Sequence, residues 1–174
     1  ENSTDRIVKP PKLYDLTTLQ REANRHYGLT AQQTLNAAQS LYEQKLITYP
    51  RTDSQFLTED MEDTAANVIR IVQSKYGLDN PFSDIPKPII SQVMNNKKVS
   101  DHHAIIPTME LEKTDPHGLK ADEEKVLFLV SLRLLEATGE NHIFTETIVE
   151  ASCGGETFST KGYGNRNQCY SGRT

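Results

Sequence analysis

Apolar residues recur at intervals of three and four along most of the first 138 positions, and at intervals of two after them. Thr17 and Thr18 are placed to cap a first helix, with Gln20 and Arg21 in its first turn, and Gly28 ends it after His26 and Tyr27. Thr30 opens a second helix with Gln33 in capping-box position, and Leu35, Ala38, Leu41 and Tyr42 fall on one face that should be buried. At Lys45 this period gives way to the β-prone run Leu46-Ile47-Thr48-Tyr49, which Pro50 stops. The run reads as a short extended piece that delivers Tyr49 to a surface. Thr58 caps a helix over about 58–76, whose stripe is Met61, Ala65, Val68, Val72 and Tyr76, with Gly77 as its stop. Residues 79–117 are rich in proline and loops, with at most one short helix near 89–94. Residues 120–138 form the strongest helix. Val126, Leu127, Leu129, Val130, Leu132, Leu134 and Leu135 cover nearly its whole circumference, which predicts a central position.

After Gly139 the alternation turns β: residues 142–152 are rich in Ile, Val and Thr, and 157–161 supply a hairpin partner across Gly154-Gly155. Residues 162–174 are polar and without pattern. Residues 1–13 read as an exposed, extended arrival segment, because Pro10-Pro11 excludes helix there. The expected fold class is mainly α with a small β part. A helical unit, residues 14–138, is inserted between two pieces of a β-rich unit, 1–13 and 139–174. Neither piece completes a sheet alone, so the chain reads as a fragment, with a tail after 161 expected to leave regular structure.

Composition narrows the class. A chain of 174 residues can bury a core of its own. It has no run of about eighteen apolar residues, so no membrane span is expected. The N-terminus lacks an apolar signal segment, and two cysteines, Cys153 and Cys169, are too few for a disulfide framework or a thiolate zinc site. A cytoplasmic protein is the expectation. The net charge of −5 argues against coating nucleic acid by bulk electrostatics. Its distribution is uneven: residues 1–51 carry seven Lys/Arg against five Asp/Glu, residues 52–85 two against seven, and residues 86–108 three against one. A polyanion could be gripped locally.

Two stretches carry candidate chemistry. In the first, Tyr49 stands where a strand must stop and Arg51 follows two residues later. A phenol with an ordinary pKa of about 10 is a poor nucleophile at neutral pH, and a nearby guanidinium would stabilise its anion and could also grip a phosphate oxygen. Thr48, Thr52, Asp53 and Ser54 surround the pair with short hydrogen-bonding side chains. The plainer reading, a Tyr that caps a strand and packs, is favoured by spacing alone. In the second stretch, Asp101-His102-His103-Ala104-Ile105-Ile106-Pro107-Thr108, adjacent histidines cannot both face one way on extended backbone. They lack a third ligand at metal spacing, but either could contact a phosphodiester or shuttle a proton. No phosphate-cradling glycine loop and no H-E-x-x-H occurs, and the aromatic residues are too dispersed for a base-stacking platform.

Together, Lys45-Leu46-Ile47-Thr48-Tyr49-Pro50-Arg51-Thr52-Asp53-Ser54 and Asp101-His102-His103-Ala104-Ile105-Ile106-Pro107-Thr108 resemble the type IA DNA topoisomerases, and most nearly their topoisomerase III branch. The segments from Pro10 to Gln20 and from Ala37 to Glu43 match the same family, so the resemblance runs from about residue 8 to about 161. It implies that Tyr49 is the nucleophile toward single-stranded DNA, forming a transient 5′-phosphotyrosyl link that is resealed without ATP, and that Arg51 neutralises the scissile phosphate. His102 aligns with a phosphate-contacting histidine, His103 with a more variable place, and Thr48, Asp53 and Ser54 with supporting positions. The resemblance also implies that Mg²⁺ is bound by a Toprim domain absent from this stretch. The fragment alone would then be inactive. The expected partners are single-stranded DNA and the remaining domains of the same chain, with no membrane, a monomeric state and a place at the nucleoid. The rival from another class is a non-catalytic helix-turn-helix DNA-binding module built on residues 17–45.

Overall fold

The computed structural model describes residues 2–78 and 87–165. Four α-helices, α1 (Leu16–Tyr27), α2 (Ala31–Glu43), α3 (Glu62–Lys75) and α4 (Ala121–Ala137), form a body from which a three-stranded antiparallel sheet extends. Its strands are β1 (Asn2–Val8), β2 (His142–Cys153) and β3 (Glu156–Asn165), in the order β1-β2-β3.

The first helix is capped by Asp15, not by Thr17 or Thr18. Its carboxylate accepts the backbone N–H of Thr18, three residues on, at 2.7 Å, a bond strengthened by the charge on the acceptor. Gly28, at φ 68°, closes α1 in the left-handed conformation that lacks a steric penalty only for glycine. The second helix begins as its sequence predicts, with a reciprocal capping box between Thr30 and Gln33. It ends in a Schellman motif without glycine: Lys45 takes φ 62°, its N–H bonds Tyr42 O at 2.8 Å, and Leu46 N–H bonds Leu41 O at 2.9 Å. The third helix is entered through a 3-10 turn, Glu59–Met61, whose Thr58 cap makes no side-chain bond. Asn96 Oδ1 instead accepts from Glu59 N–H at 2.8 Å.

α4 packs against α1, α2 and α3, and Val126, Leu127, Leu129, Val130, Leu134 and Leu135 are all buried, as its unbroken apolar surface predicts. Leu132 is only half-buried and Phe128 stays exposed, so one side of the helix faces solvent. Tyr42, expected on the buried face of α2, is 39% exposed, whereas Ala37, Ala38 and Leu41 fill that face. Ile89–Met94 yields a 3-10 turn, Ile90–Val93.

Two expectations about the strands change. Residues 2–8 are a strand rather than a bare arrival segment, paired with β2 from Asn2↔Ile148 to Val8↔His142. β3 does not stop at Lys161 but continues over Gly162 to Asn165, opposite Thr147 to Phe144. Ladder bonds are made by the backbone, and on this exposed sheet no apolar alternation is needed to sustain them. The hairpin turns at Gly154 and Gly155, both with positive φ, as a two-residue hairpin turn requires. The polar tail beyond 165 lies outside the described residues. No helix among the described residues is long and apolar enough to cross a membrane.

Candidate active site

The second motif is the spine of the site. Residues 104–108 bond to three other segments. Ala104 N–H bonds Phe56 O at 2.9 Å, and Ile105 N–H bonds Tyr14 O at 2.8 Å. Thr48 N–H bonds Ile106 O at 2.9 Å, and Thr108 N–H bonds Leu46 O at 3.0 Å. Ile105 and Ile106, both 1% exposed, anchor the spine in the core beside Leu46 and Ile47. The β-prone run after α2 thus finds a partner strand contributed by the far side of the chain.

Short hydroxyl side chains lock the two motifs together. The Thr48 hydroxyl donates to Ala104 O at 3.1 Å and accepts from Ile106 N–H at 3.0 Å. Thr52 donates to the carbonyl of His102 at 3.0 Å, and its own carbonyl accepts from Leu16 N–H at 3.1 Å. Ser54 donates to Lys98 O at 2.8 Å. The hydroxyls of Thr48 and Ser54 are therefore occupied by backbone, and Ser54 is buried. Thr52, which the sequence offered only as one hydroxyl among several, fixes the backbone of His102.

Pinned this way, the His102 imidazole lies against the Tyr49 ring, with centroids 4.3 Å apart and planes tilted by 41°. On its other side Tyr49 meets the edge of Tyr42 at 5.4 Å. Tyr42, seven residues before Tyr49, was missed as part of the site because its helical spacing matched the buried stripe. His103 points elsewhere: its Nδ1–H donates to Ala104 O at 2.8 Å and it is half-buried. The two histidines diverge, as adjacent residues on extended backbone must. The chain bends at Pro50 and Arg51, so strand alternation does not decide where the guanidinium lies. Arg51 and Asp53 are both exposed, and neither has an ion-pair partner among the described residues. Tyr49 is half-buried, its ring in contact with both His102 and Tyr42.

Next to Tyr14 sits a half-buried cationic hub. The Arg133 guanidinium stacks on Tyr14 at 4.2 Å, donates to Tyr14 Oη at 3.1 Å and to Lys12 O at 3.2 Å, and pairs with Glu136 at 3.2 Å. Burial pushes the Tyr14 phenol well above its usual range despite the opposing Arg133 charge, so Tyr14 stays neutral and serves as a beam for Ile105. Among the described residues no group of three or more His, Cys, Asp or Glu side chains is placed to hold a metal ion.

The family model described as DNA topoisomerase matches residues 1–171. DNA topoisomerase 3 of Staphylococcus saprophyticus is 37% identical over 92% of this chain, and that of Bacillus subtilis 42% identical over 87%. The chain spans about a fifth of the length of these curated relatives: 23% of the first and 21% of the second. In fold it matches full-length topoisomerase I of Thermotoga maritima with a TM-score of 0.71, covering 97% of this chain and 28% of that one at 23% identity. The chain belongs to the DNA topoisomerase family.

Proposed function

We propose that this chain is the nucleophile-bearing part of a type IA topoisomerase, with Tyr49 as the attacking residue. The observation that carries the reading is the contact of Tyr49 with His102, two side chains from distant motifs held together by hydroxyl-to-backbone bonds. The Tyr49 oxygen, giving its proton to water, attacks the phosphorus of a phosphodiester in single-stranded DNA. The bond from phosphorus to the 3′-oxygen breaks, that oxygen takes up a proton, and a 5′-phosphotyrosyl ester remains. The ester retains the energy of the broken linkage, so the 3′-hydroxyl can reverse the step without ATP. His102 hydrogen-bonds a phosphate oxygen, and Arg51, exposed and without a carboxylate partner, neutralises charge that develops there. Thr48 and Ser54, whose hydroxyls are committed to the backbone, act by holding the pocket. Asp53 and His103 would play supporting parts toward the phosphate backbone.

The helical body, residues 14–138, would be inserted into a β-rich arch of which the three strands are one part. That β1 pairs with β2, from opposite ends of the body, supports this reading. Mg²⁺ would be held by an acidic Toprim domain outside these residues. A monomeric enzyme acting at the nucleoid in the cytoplasm completes the proposal. The test uses the complete enzyme and an oligonucleotide labelled at its 3′ end. Wild type should yield a labelled protein adduct that survives denaturation, and Tyr49→Phe none. An adduct in the Phe variant would remove Tyr49 from this role.

A further inference from the structure

At the foot of the helical body, the Phe56 ring is flanked by two ammonium groups, Lys98 Nζ at 4.8 Å from its centroid and Lys12 Nζ at 5.6 Å. The lysines come from segments far apart in sequence. One arrives with the Pro10-Pro11 stretch that leads out of β1, the other with the loop before the histidine motif. Neither pairs with a carboxylate among the described residues. The ring lines one side of a groove of about 300 Å³ that also includes Lys9, Lys12 and Gln55. In a chain of net charge −5, Lys9 and Lys12 on the groove wall and Lys98 over the same Phe56 ring make a local field opposite to that of the molecule.

The arrangement is tied to the candidate active site. Lys98 is held there by the Ser54 hydroxyl on its carbonyl, and Phe56 carries the carbonyl that accepts from Ala104 N–H. Seven residues of chain separate Phe56 from Tyr49, at most about 25 Å. One strand can therefore engage both places. Two ammonium groups over an aromatic face keep their charge while shedding part of their water, which suits them to phosphate rather than to a neutral ligand.

We infer that the groove lined by Lys9, Lys12 and Phe56, with Lys98 over the same ring, is a second contact point for the phosphate backbone of single-stranded DNA, apart from the scissile phosphate. It rests on the reading of Tyr49 as a nucleophile toward such DNA, and it deepens that reading by naming where the strand is held away from the chemistry.

The test is the Lys12→Gln/Lys98→Gln double variant of the complete enzyme, with Lys12→Arg/Lys98→Arg as the charge-retaining control. The probe is fluorescent oligothymidylate, titrated across a salt series. Losing two phosphate contacts should lower the slope of log affinity against log salt by about 1.4, and weaken binding roughly tenfold at low salt. The Arg variant should keep the wild-type slope. Adduct formation at saturating DNA should persist in the Gln variant, because Tyr49, Arg51 and His102 are intact. An unchanged slope and affinity in the Gln variant would overturn the groove while leaving the nucleophile assignment untouched. Conversely, an adduct in Tyr49→Phe would remove the nucleophile and leave the salt slopes standing. Should the double Gln variant not fold, each single Gln variant should lower the slope by about 0.7, and no change in either would equally refute the site.

Discussion

The imidazole of His102 rests on the phenol ring of Tyr49 with 4.3 Å between centroids, although the helix α3 lies between the two residues in sequence. The contact exists because Thr52 grips the His102 carbonyl and Thr48 grips the next turn of the same segment. His102→Ala in the complete enzyme should lower the cleavage rate roughly a hundredfold, the loss typical of one donor to developing charge. His102→Gln, which keeps a donor, should recover part of it. Binding of uncleaved oligonucleotide should change little in either. A rate equal to wild type in the Ala variant would reduce the contact to packing.

Thr48 makes a different prediction, because both capacities of its hydroxyl are used. Thr48→Val keeps shape and β propensity but strands Ile106 N–H and Ala104 O in a region of low exposure. The expected cost is about 1–3 kcal/mol in denaturant unfolding. Thr48→Ser restores the bonds and should lie near wild type. If instead the hydroxyl served DNA alone, Val would leave stability unchanged and weaken only cleavage.

At Lys45 a backbone choice is at stake. A side chain at φ 62° carries a steric penalty that glycine lacks, and Lys45 closes α2 in that conformation with both Schellman bonds made. Lys45→Gly relieves the strain but gives the unfolded chain more freedom. The balance should be a gain of a few tenths to about 1 kcal/mol, read as a rise in unfolding midpoint. A midpoint that falls would mean that the lysine stem supplies packing worth more than the strain.

Most of the helical framework was legible in the sequence because caps and stripes are local. Thr30 with Gln33 announces α2, and the unbroken apolar surface of residues 126–135 announces the central helix. The association of the two motifs was not local. Nothing in the spacing of Tyr49 and His102 says that residues 104–107 will pair with 46–48, and only the family resemblance brought them together beforehand. Tyr42 was misplaced because helical period identifies a stripe but not its edge, and the edge position of α2 packs on Tyr49 instead of the core. The strand of residues 2–8 went unseen for a related reason. Its partner lies at the other end of the chain, and its burial is too slight to leave an alternation.

Two carboxylates predict opposite pH responses. Glu123 stands in the first turn of α4, buried. Burial alone would raise its pKa, but Ser40 at 2.8 Å, Gln44 at 3.4 Å, the Lys120 backbone and the Lys120 charge together bring it below the ordinary value of about 4.5. Its ionised form is thus favoured by folding, and the stability it contributes is present above about pH 4.5 and lost as pH falls through the lowered value. Glu136 is the reverse case, since burial raises its pKa against the opposing charge of Arg133, so its ionisation detracts from stability as pH rises through the raised value. In urea unfolding, Glu123→Gln should cost about 1–3 kcal/mol at neutral pH, by weakening the Ser40 and Gln44 bonds. It should also flatten the loss of stability in the acid range, because the group that titrates there is gone. Glu136→Gln should do the opposite and steepen the loss of stability from neutral pH toward pH 5, because the group whose protonation favours the folded state there is gone. A Glu123→Gln variant that loses stability toward acid as steeply as wild type would show that the tie between α2 and α4 is not carried by an ionised carboxylate.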